Sequence, residues 1–282
     1  MRLATGTIDN RTAFGPIVGY ELCDIGAEGR WACLADALGT AQRADVEHAA
    51  RRAPHVPLAE LTWLAPIPNP QRILCVGLNY SEHAAESDQS RGAALSEYPT
   101  IFTRFSSSIV GHEAPLIRPV ASTAFDYEGE LAVVIGDTAR AISREEAMTV
   151  VGGYSCFMDG TLRDFQRHTS QFIPGKNFDR SGSFGPWIVT ADEFEAQTAT
   201  LTTRVNGETM QKVQTNDMLH SVADLIAYCS TFTTLQPGDV IATGTPGGVG
   251  YARRPPRWLV PGDVVEVEVS SVGVLSNPII AE

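Results

Sequence analysis

The sequence predicts a β-rich α+β protein built on packed antiparallel sheets, and three features of the chain predict it. Thr200 to Val205 and Thr209 to Val213 flank Asn206-Gly207, a strong hairpin signal. Pro237-Gly238-Asp239 and Pro261-Gly262-Asp263 are two similar turns, each leading into a β-branched run, Val240-Ile241 and Val264 to Val269. Strands are not regularly separated by helices, which excludes a doubly wound parallel sheet.

The remaining elements follow in order. An Ala/Arg/His-rich stretch from Ala35 to Arg52 precedes a proline series at Pro54, Pro57, Pro66, Pro68 and Pro70, which disfavours regular structure and reads as a linker. Residues 1–70 are therefore expected to form a small N-terminal domain of short strands and one helix, and residues 71–282 the main domain. Ile73 to Gly77 fits a buried strand and Asn79 to Asp88 a helix. Phe125 to Ile135 reads as one strand whose second half is apolar on both faces, hence buried, and whose first half is acidic. Ser143 with Glu146 has the form of a capping box opening a helix to about Val150. Met218, Val222, Leu225, Ile226 and Cys229 recur at helical spacing behind Asn216 and Asp217, which can cap, giving a second helix to about Phe232. In Val264 to Val269 Val alternates with Glu, so one face of that strand is wet.

Composition restricts the function. With 282 residues the chain can bury a sizeable core. A net charge of −12 opposes binding to nucleic acid or an anionic membrane, and an anionic substrate needs a locally positive site. The cysteines Cys23, Cys33, Cys75, Cys156 and Cys229 are scattered, without metal-ligand spacing, and read as reduced, mostly buried thiols. No signal-peptide pattern opens the chain and no apolar run approaches the ~20 residues that span a bilayer, so the expected compartment is the cytoplasm.

Glu128-Gly129-Glu130 puts two carboxylates on one strand face, roughly 7 Å apart, with Gly129 leaving the other face open. Such a pair repels unless a cation lies between, although an exposed acidic edge has the same pattern. Asp159, just beyond the strand-like Val150 to Cys156, offers a third carboxylate, or a plain turn residue. Hard oxygen ligands favour Mg²⁺ or Mn²⁺, with Ca²⁺ as another occupant, over zinc. His83 and Glu86 lie at i and i+3, where a carboxylate raises the basicity of an imidazole, or forms an ordinary surface ion pair. Lys176, in a Gly-flanked loop, can bring a cation to an oxyanion. Arg104, before Ser106, Ser107 and Ser108, is a further anion-binding candidate. Thr243 to Gly250 is a glycine-rich turn able to offer amides and the Thr245 hydroxyl to an anion, but it matches neither a dinucleotide nor a phosphate loop. His48, His55, His112, His168 and His220 have no ligand spacing.

In order along the chain, Asn79-Tyr80 with His83 and Glu86, Ser107 to Gly111, Asp126 to Leu131, Asp159 with Arg163-Asp164-Phe165-Gln166, Gly175 to Asp179 and Thr243 to Gly250 resemble the fumarylacetoacetate hydrolase family. The resemblance runs from Ile73 to the C-terminus. It departs at Phe157-Met158-Asp159-Gly160, where many members carry Asn-Asp-Val, and over 87–97. It implies a mixed β-sandwich or β-roll catalytic domain, usually dimeric, with Mg²⁺ or Mn²⁺ on Glu128, Glu130 and Asp159. It further implies a lid carrying His83 and Glu86, often ordered only with ligand, and positions of Arg104, Gln166, Lys176 and Thr245 facing the substrate or the metal's surroundings. The expected activity is hydrolysis of a C–C bond in a 2,4-dioxo acid such as an acylpyruvate, His83 activating water. The alternatives are an oxaloacetate-type decarboxylase, an isomerase or hydratase of a 2-hydroxydienoate, and, remotely, a non-catalytic binder of metal or small acids.

Overall fold

The computed structural model describes residues 1–39, 42–88 and 97–282. Most of the expected departure over 87–97 lies outside the described residues. Among the described residues a large mixed sheet runs in the order His55–Pro57, Glu21–Cys23, Arg11–Val18, Arg2–Ile8, Gly182–Thr190, Val151–Met158, Gly129–Ile135, Val240–Ala242, Ile73–Gly77 and Thr100–Thr103. A second sheet runs Glu208–Gln214, Thr200–Val205, Val264–Val269, Gly273–Ala281 and Leu116–Arg118. The protein is thus a strand-rich α+β fold, as the sequence predicts, but its sheets are mixed. Val240–Ala242 pairs parallel with Ile73–Gly77, Leu116–Arg118 parallel with the C-terminal strand, and Ile109–Val110 parallel with Gly182–Thr190. Such partners are far apart in sequence, and no local turn signal announces them.

The Asn206-Gly207 hairpin forms as predicted, both residues at positive φ (52° and 80°), the conformation its two-residue turn requires. The proline series carries two short strands instead of a bare linker. His55–Pro57 pairs with Glu21–Cys23 and Thr62–Trp63 pairs with Arg2–Ile8. The segment before residue 70 joins the large sheet where Arg2 and Leu3 pair with Val189 and Ile188.

Two helices start differently from expectation. The helix placed over Asn79 to Asp88 begins at Ser81, because Asn79 is spent as a buried anchor: its Nδ2 donates to Thr243 O (2.8 Å) and its Oδ1 accepts from His220 N (2.7 Å). The helix ending at Phe232 starts at Val222, with Ser221 and Asp224 forming the capping box, while Met218 bridges to Tyr80. Ser221 wins over Asn216 and Asp217 because those two lie in their own 3-10 turn. Ser143 and Glu146 do form their box, over a helix Arg144–Ala147 that tightens into a 3-10 turn through Val150.

The strand Gly129–Ile135 is buried on both faces, as its apolar run predicts. Leu131, Val133 and Ile135 pack into the core toward the second sheet, while Ala132 and Val134 pack with Leu3, Phe14 and Leu34 of the N-terminal segment. It runs antiparallel to both Val151–Met158 and Val240–Ala242, so its beginning lies beside the ends of both neighbours. Ile73–Gly77, parallel to Val240–Ala242, ends there too. This arrangement gathers Glu128, Asp159, Thr245 and the helix bearing His83 at one end of the sheet.

Candidate active site

The acidic segment is not one continuous strand. Phe125–Asp126 pairs with Thr161–Leu162, and Gly129–Ile135 starts a new pairing, so Tyr127 and Glu128 span a break. Asp159 N closes the break by donating to Glu128 O (2.8 Å). Glu128, Glu130 and Asp159 thereby converge: each offers an oxygen, and these atoms lie within 4.8 Å of one another, all buried. Such a set of hard anionic donors fits a divalent cation of the Mg²⁺ or Mn²⁺ type.

Cations of the chain brace two of the three acids, Glu128 and Asp159. Lys176, 2% exposed, reaches Glu128 Oε2 and lies 2.5 Å from Asp159 Oδ2. Arg104 Nη1 donates to Asp159 Oδ1 (2.6 Å) and Gly160 O (2.9 Å), and Nη2 to Ser181 Oγ (2.6 Å). These bonds use its guanidinium behind Asp159, so Arg104 braces that acid instead of standing on the cavity wall. Glu130 Oε2 accepts from Gly244 N (2.8 Å), the glycine-rich turn supplying an amide. Thr245 Oγ1 donates to Gly129 O (2.9 Å) and receives Gln211 Nε2 (2.8 Å).

Local sequence pattern assigns Arg163 no role, and the structure makes it central. Its Nε donates to Asp126 Oδ2 (2.7 Å), its Nη2 to Glu128 Oε1 (2.6 Å) and its Nη1 to Gln166 Oε1 (3.0 Å). Asp126, fully buried, also accepts from Gly250 N (2.7 Å), tying the glycine-rich turn to the same network. The available signal was Asp126 two residues before Glu128 and Arg163 four after Asp159, but only the pairing of their strands joins them.

His83 is buried, with Nε2 4.0 Å from Glu128 Oε1 and Nδ1 3.5 Å from Glu86 Oε2. His83 Nδ1 and Glu86 Oε2 make no hydrogen bond here, while Glu86 Oε1 receives Gly248 N (2.8 Å), fastening the helix to the glycine-rich turn. His83, Glu128, Glu130, Asp159, Gln166, Lys176 and Thr245 line one cavity with Arg163, Arg167, Tyr251 and the apolar Val76, Leu78, Phe102 and Phe172. About 90 Å³ of it is open to water centres. At about 10–15 Å³ per water, that is room for an acid of a few carbons.

The acids titrate apart. Burial alone would raise Glu128, but Arg163, Lys176 and His83 outweigh it and hold its carboxyl well below the usual range. Glu130 is pushed well above its usual range, first by burial, then by Asp159 and Glu128. A folded-state carboxyl raised this way binds its proton where the unfolded chain has lost it. Metal-free protein is therefore expected to lose stability as pH rises from the ordinary Glu range through Glu130's raised one. Binding of Mg²⁺ or Mn²⁺ should expel that proton. Calorimetric titration in two buffers of different ionisation enthalpy should show up to about one proton released per ion near neutral pH; a buffer-independent heat would contradict it.

The family model for the fumarylacetoacetate (FAA) hydrolase C-terminal domain matches residues 72–280. The oxaloacetate tautomerase FAHD2A, mitochondrial, of Homo sapiens is 38% identical over 278 residues, 98% of this chain and 84% of that protein. The Rattus norvegicus oxaloacetate tautomerase Fahd2a, mitochondrial, is 40% identical over 246 residues, 86% of this chain and 76% of that one. Among solved structures, the fumarylacetoacetate hydrolase of psychrophilic Exiguobacterium antarcticum superposes with a TM-score of 0.87 at 37% identity, both chains fully covered. The maleylpyruvate hydrolase of Sphingobium sp. SYK-6, in complex with manganese(II) ion and pyruvate, superposes with a TM-score of 0.82 at 30% identity, covering 100% of this chain and 99% of that one. No helix among the described residues is long and apolar enough to cross a membrane. Given a matched domain over most of its length and relatives this similar across nearly all of it, the chain belongs to the fumarylacetoacetate hydrolase family of enzymes.

Proposed function

We propose that the protein is a divalent-metal-dependent enzyme that forms and reprotonates the enolate of a small 2-oxo acid, its reaction being keto–enol tautomerisation of an oxaloacetate-like acid. The observation that carries this reading is the buried His83 facing Glu128 at the mouth of the three-carboxylate cluster. The similarity to the oxaloacetate tautomerases supports it. Glu128, Glu130 and Asp159 would hold Mg²⁺ or Mn²⁺, which when bound polarises the 2-oxo oxygen as a Lewis acid.

The chain's own residues do the rest. His83 takes a proton from C3, the C2=C3 bond forms, and the 2-oxygen gains the negative charge, faced by the Lys176 ammonium. Return of a proton to that oxygen gives the enol, and no bond of the carbon skeleton breaks. Glu86 fixes the imidazole orientation, its distance to His83 shortening when substrate is bound. Arg104 and Arg163 keep Asp159 and Glu128 oriented, and Gln166 and Thr245 face the substrate.

The His83–Glu86 pair also favours a second reading, hydrolysis of an acylpyruvate. There His83 takes the proton of a water whose oxygen bonds to C4. The C3–C4 bond breaks with its electron pair going to C3, and protonation of C3 completes a 2-oxo acid and a carboxylic acid. The first test follows enol decay of oxaloacetate by ultraviolet absorbance and pyruvate release from acylpyruvates and oxaloacetate, with Mg²⁺, Mn²⁺ or chelator, for wild type and His83→Ala. Metal-dependent enol decay without pyruvate, reduced about 10²–10⁴-fold in the variant, is the expected result. Pyruvate from acylpyruvates would favour hydrolysis, pyruvate from oxaloacetate decarboxylation, and no reaction with any compound would sink both readings. A homodimeric assembly, a cytoplasmic location and a catalytic unit over 71–282 complete the proposal.

A further inference from the structure

We propose that Arg167, held against Tyr251, is a subsite for a second carboxylate, so that the enzyme selects 2-oxo dicarboxylates over 2-oxo monocarboxylates; this rests on the 2-oxo acid reading above.

Arg163 and Arg167 stand four residues apart around the short helix Arg163–Gln166, and both guanidinium groups lie over the Tyr251 ring, their Cζ atoms 4.6 and 5.0 Å from its centroid. Two like charges at this spacing repel, so each needs a reason to be there. Arg163 has one, being buried and bonded to Asp126 and Glu128. Arg167 is exposed on the rim of the same cavity, and among the described residues no carboxylate forms an ion pair with it. The aromatic face holds its guanidinium in place, which lowers the ordering cost of binding an anion.

Charge balance in the cavity points the same way. The lining carboxylates Glu128, Glu130 and Asp159, with Asp126 behind them, stand against the lining cations Arg163 and Lys176, with Arg104 behind. All ionised, they leave one negative charge, which a divalent ion turns into one positive charge. A single substrate carboxylate cancels that charge. A second carboxylate then needs another cation, and in a chain of net charge −12 Arg167 provides it, with a planar fork suited to two parallel hydrogen bonds.

The test compares oxaloacetate with 2-oxobutanoate, which has a methyl group in place of the distal carboxylate and the same enolisable C3. Deuterium uptake at C3 is followed by NMR with Mg²⁺ for wild type, Arg167→Gln and Arg167→Lys. Arg167→Gln should lower kcat/KM on oxaloacetate about ten- to hundredfold, mainly through KM, as expected for the loss of a charge-assisted hydrogen bond, and leave 2-oxobutanoate within about twofold. Arg167→Lys should fall between. Equal losses on both acids, or none on oxaloacetate, would overturn the subsite. If wild type exchanges neither acid, the enolisation reading fails separately. Calorimetric binding of the two acids to Mg²⁺-loaded protein then decides: a preference for oxaloacetate that Arg167→Gln removes sustains the subsite, and no preference overturns it.

Discussion

Glu128→Gln and Glu130→Gln are expected to abolish metal-dependent turnover alike, while only Glu128→Gln lowers the stability of the metal-free protein. Replacing residues around a metal's ligands already costs about 10–100-fold in affinity, so losing a direct carboxylate should exceed that in either variant. The difference lies in what each carboxylate faces. Glu128 is held ionised chiefly by Arg163 and Lys176, and a neutral amide leaves those two buried cations less compensated, a loss of about 1–3 kcal/mol. Glu130 is raised by burial and by its neighbours Asp159 and Glu128, so its charge is disfavoured in the metal-free site, and Gln removes that charge while still accepting from Gly244 N. Glu130→Gln should therefore match or exceed wild type in thermal melts with chelator at neutral pH, whereas Glu128→Gln melts lower. Equal destabilisation by the two would refute this account of the site's charge distribution.

Gly129→Ala is expected to destabilise the protein by about 1–3 kcal/mol and to reduce activity, since it moves both flanking glutamates. A Cβ at this position would meet Thr203 Oγ1 at 2.0 Å and Val267 Cγ1 at 3.3 Å, both on the second sheet, which packs directly over Gly129. Gly129 N also donates to Gln211 Oε1 (3.0 Å), so the backbone cannot simply retreat. Thr203 Oγ1 makes no hydrogen bond, so Thr203→Ala alone should be nearly neutral and should restore part of the loss in the double variant. Denaturant melts of the four proteins measure the coupling. A Gly129→Ala protein as stable as wild type would show that the sheets can separate at this point without cost.

The three acids were legible in the sequence because each sits at a strand end with a distinctive local pattern: Glu-Gly-Glu entering an apolar run, and Asp-Gly leaving one. Their order among Asn79-Tyr80, Lys176 and the glycine-rich turn carried the family. The helix capped by Ser143 and Glu146 and the Asn206-Gly207 hairpin were equally legible, since caps and tight turns are made by neighbours in sequence. What local pattern left open was every relation made across the fold. The start of the helix ending at Phe232 went to Ser221, not to Asn216 or Asp217. The parallel pairing of Val240–Ala242 with Ile73–Gly77 joins segments with no shared turn.

The site divides in the same way. Spacing offered three carboxylates suited to a hard cation and a His83–Glu86 pair on one helix, and the order of these motifs, resembling the family, made them a strand-rich enzyme's site. Only the tertiary structure decided that Arg104 stands behind Asp159, that Arg163 joins Asp126 to Glu128, and that Arg167 shares the Tyr251 ring at the cavity rim. The reason is physical. A ligand set announces itself locally because its charges must be grouped on strand ends, whereas the cations that neutralise it need only be near in space, and a long Arg or Lys side chain can reach the site from any element the sheets bring alongside.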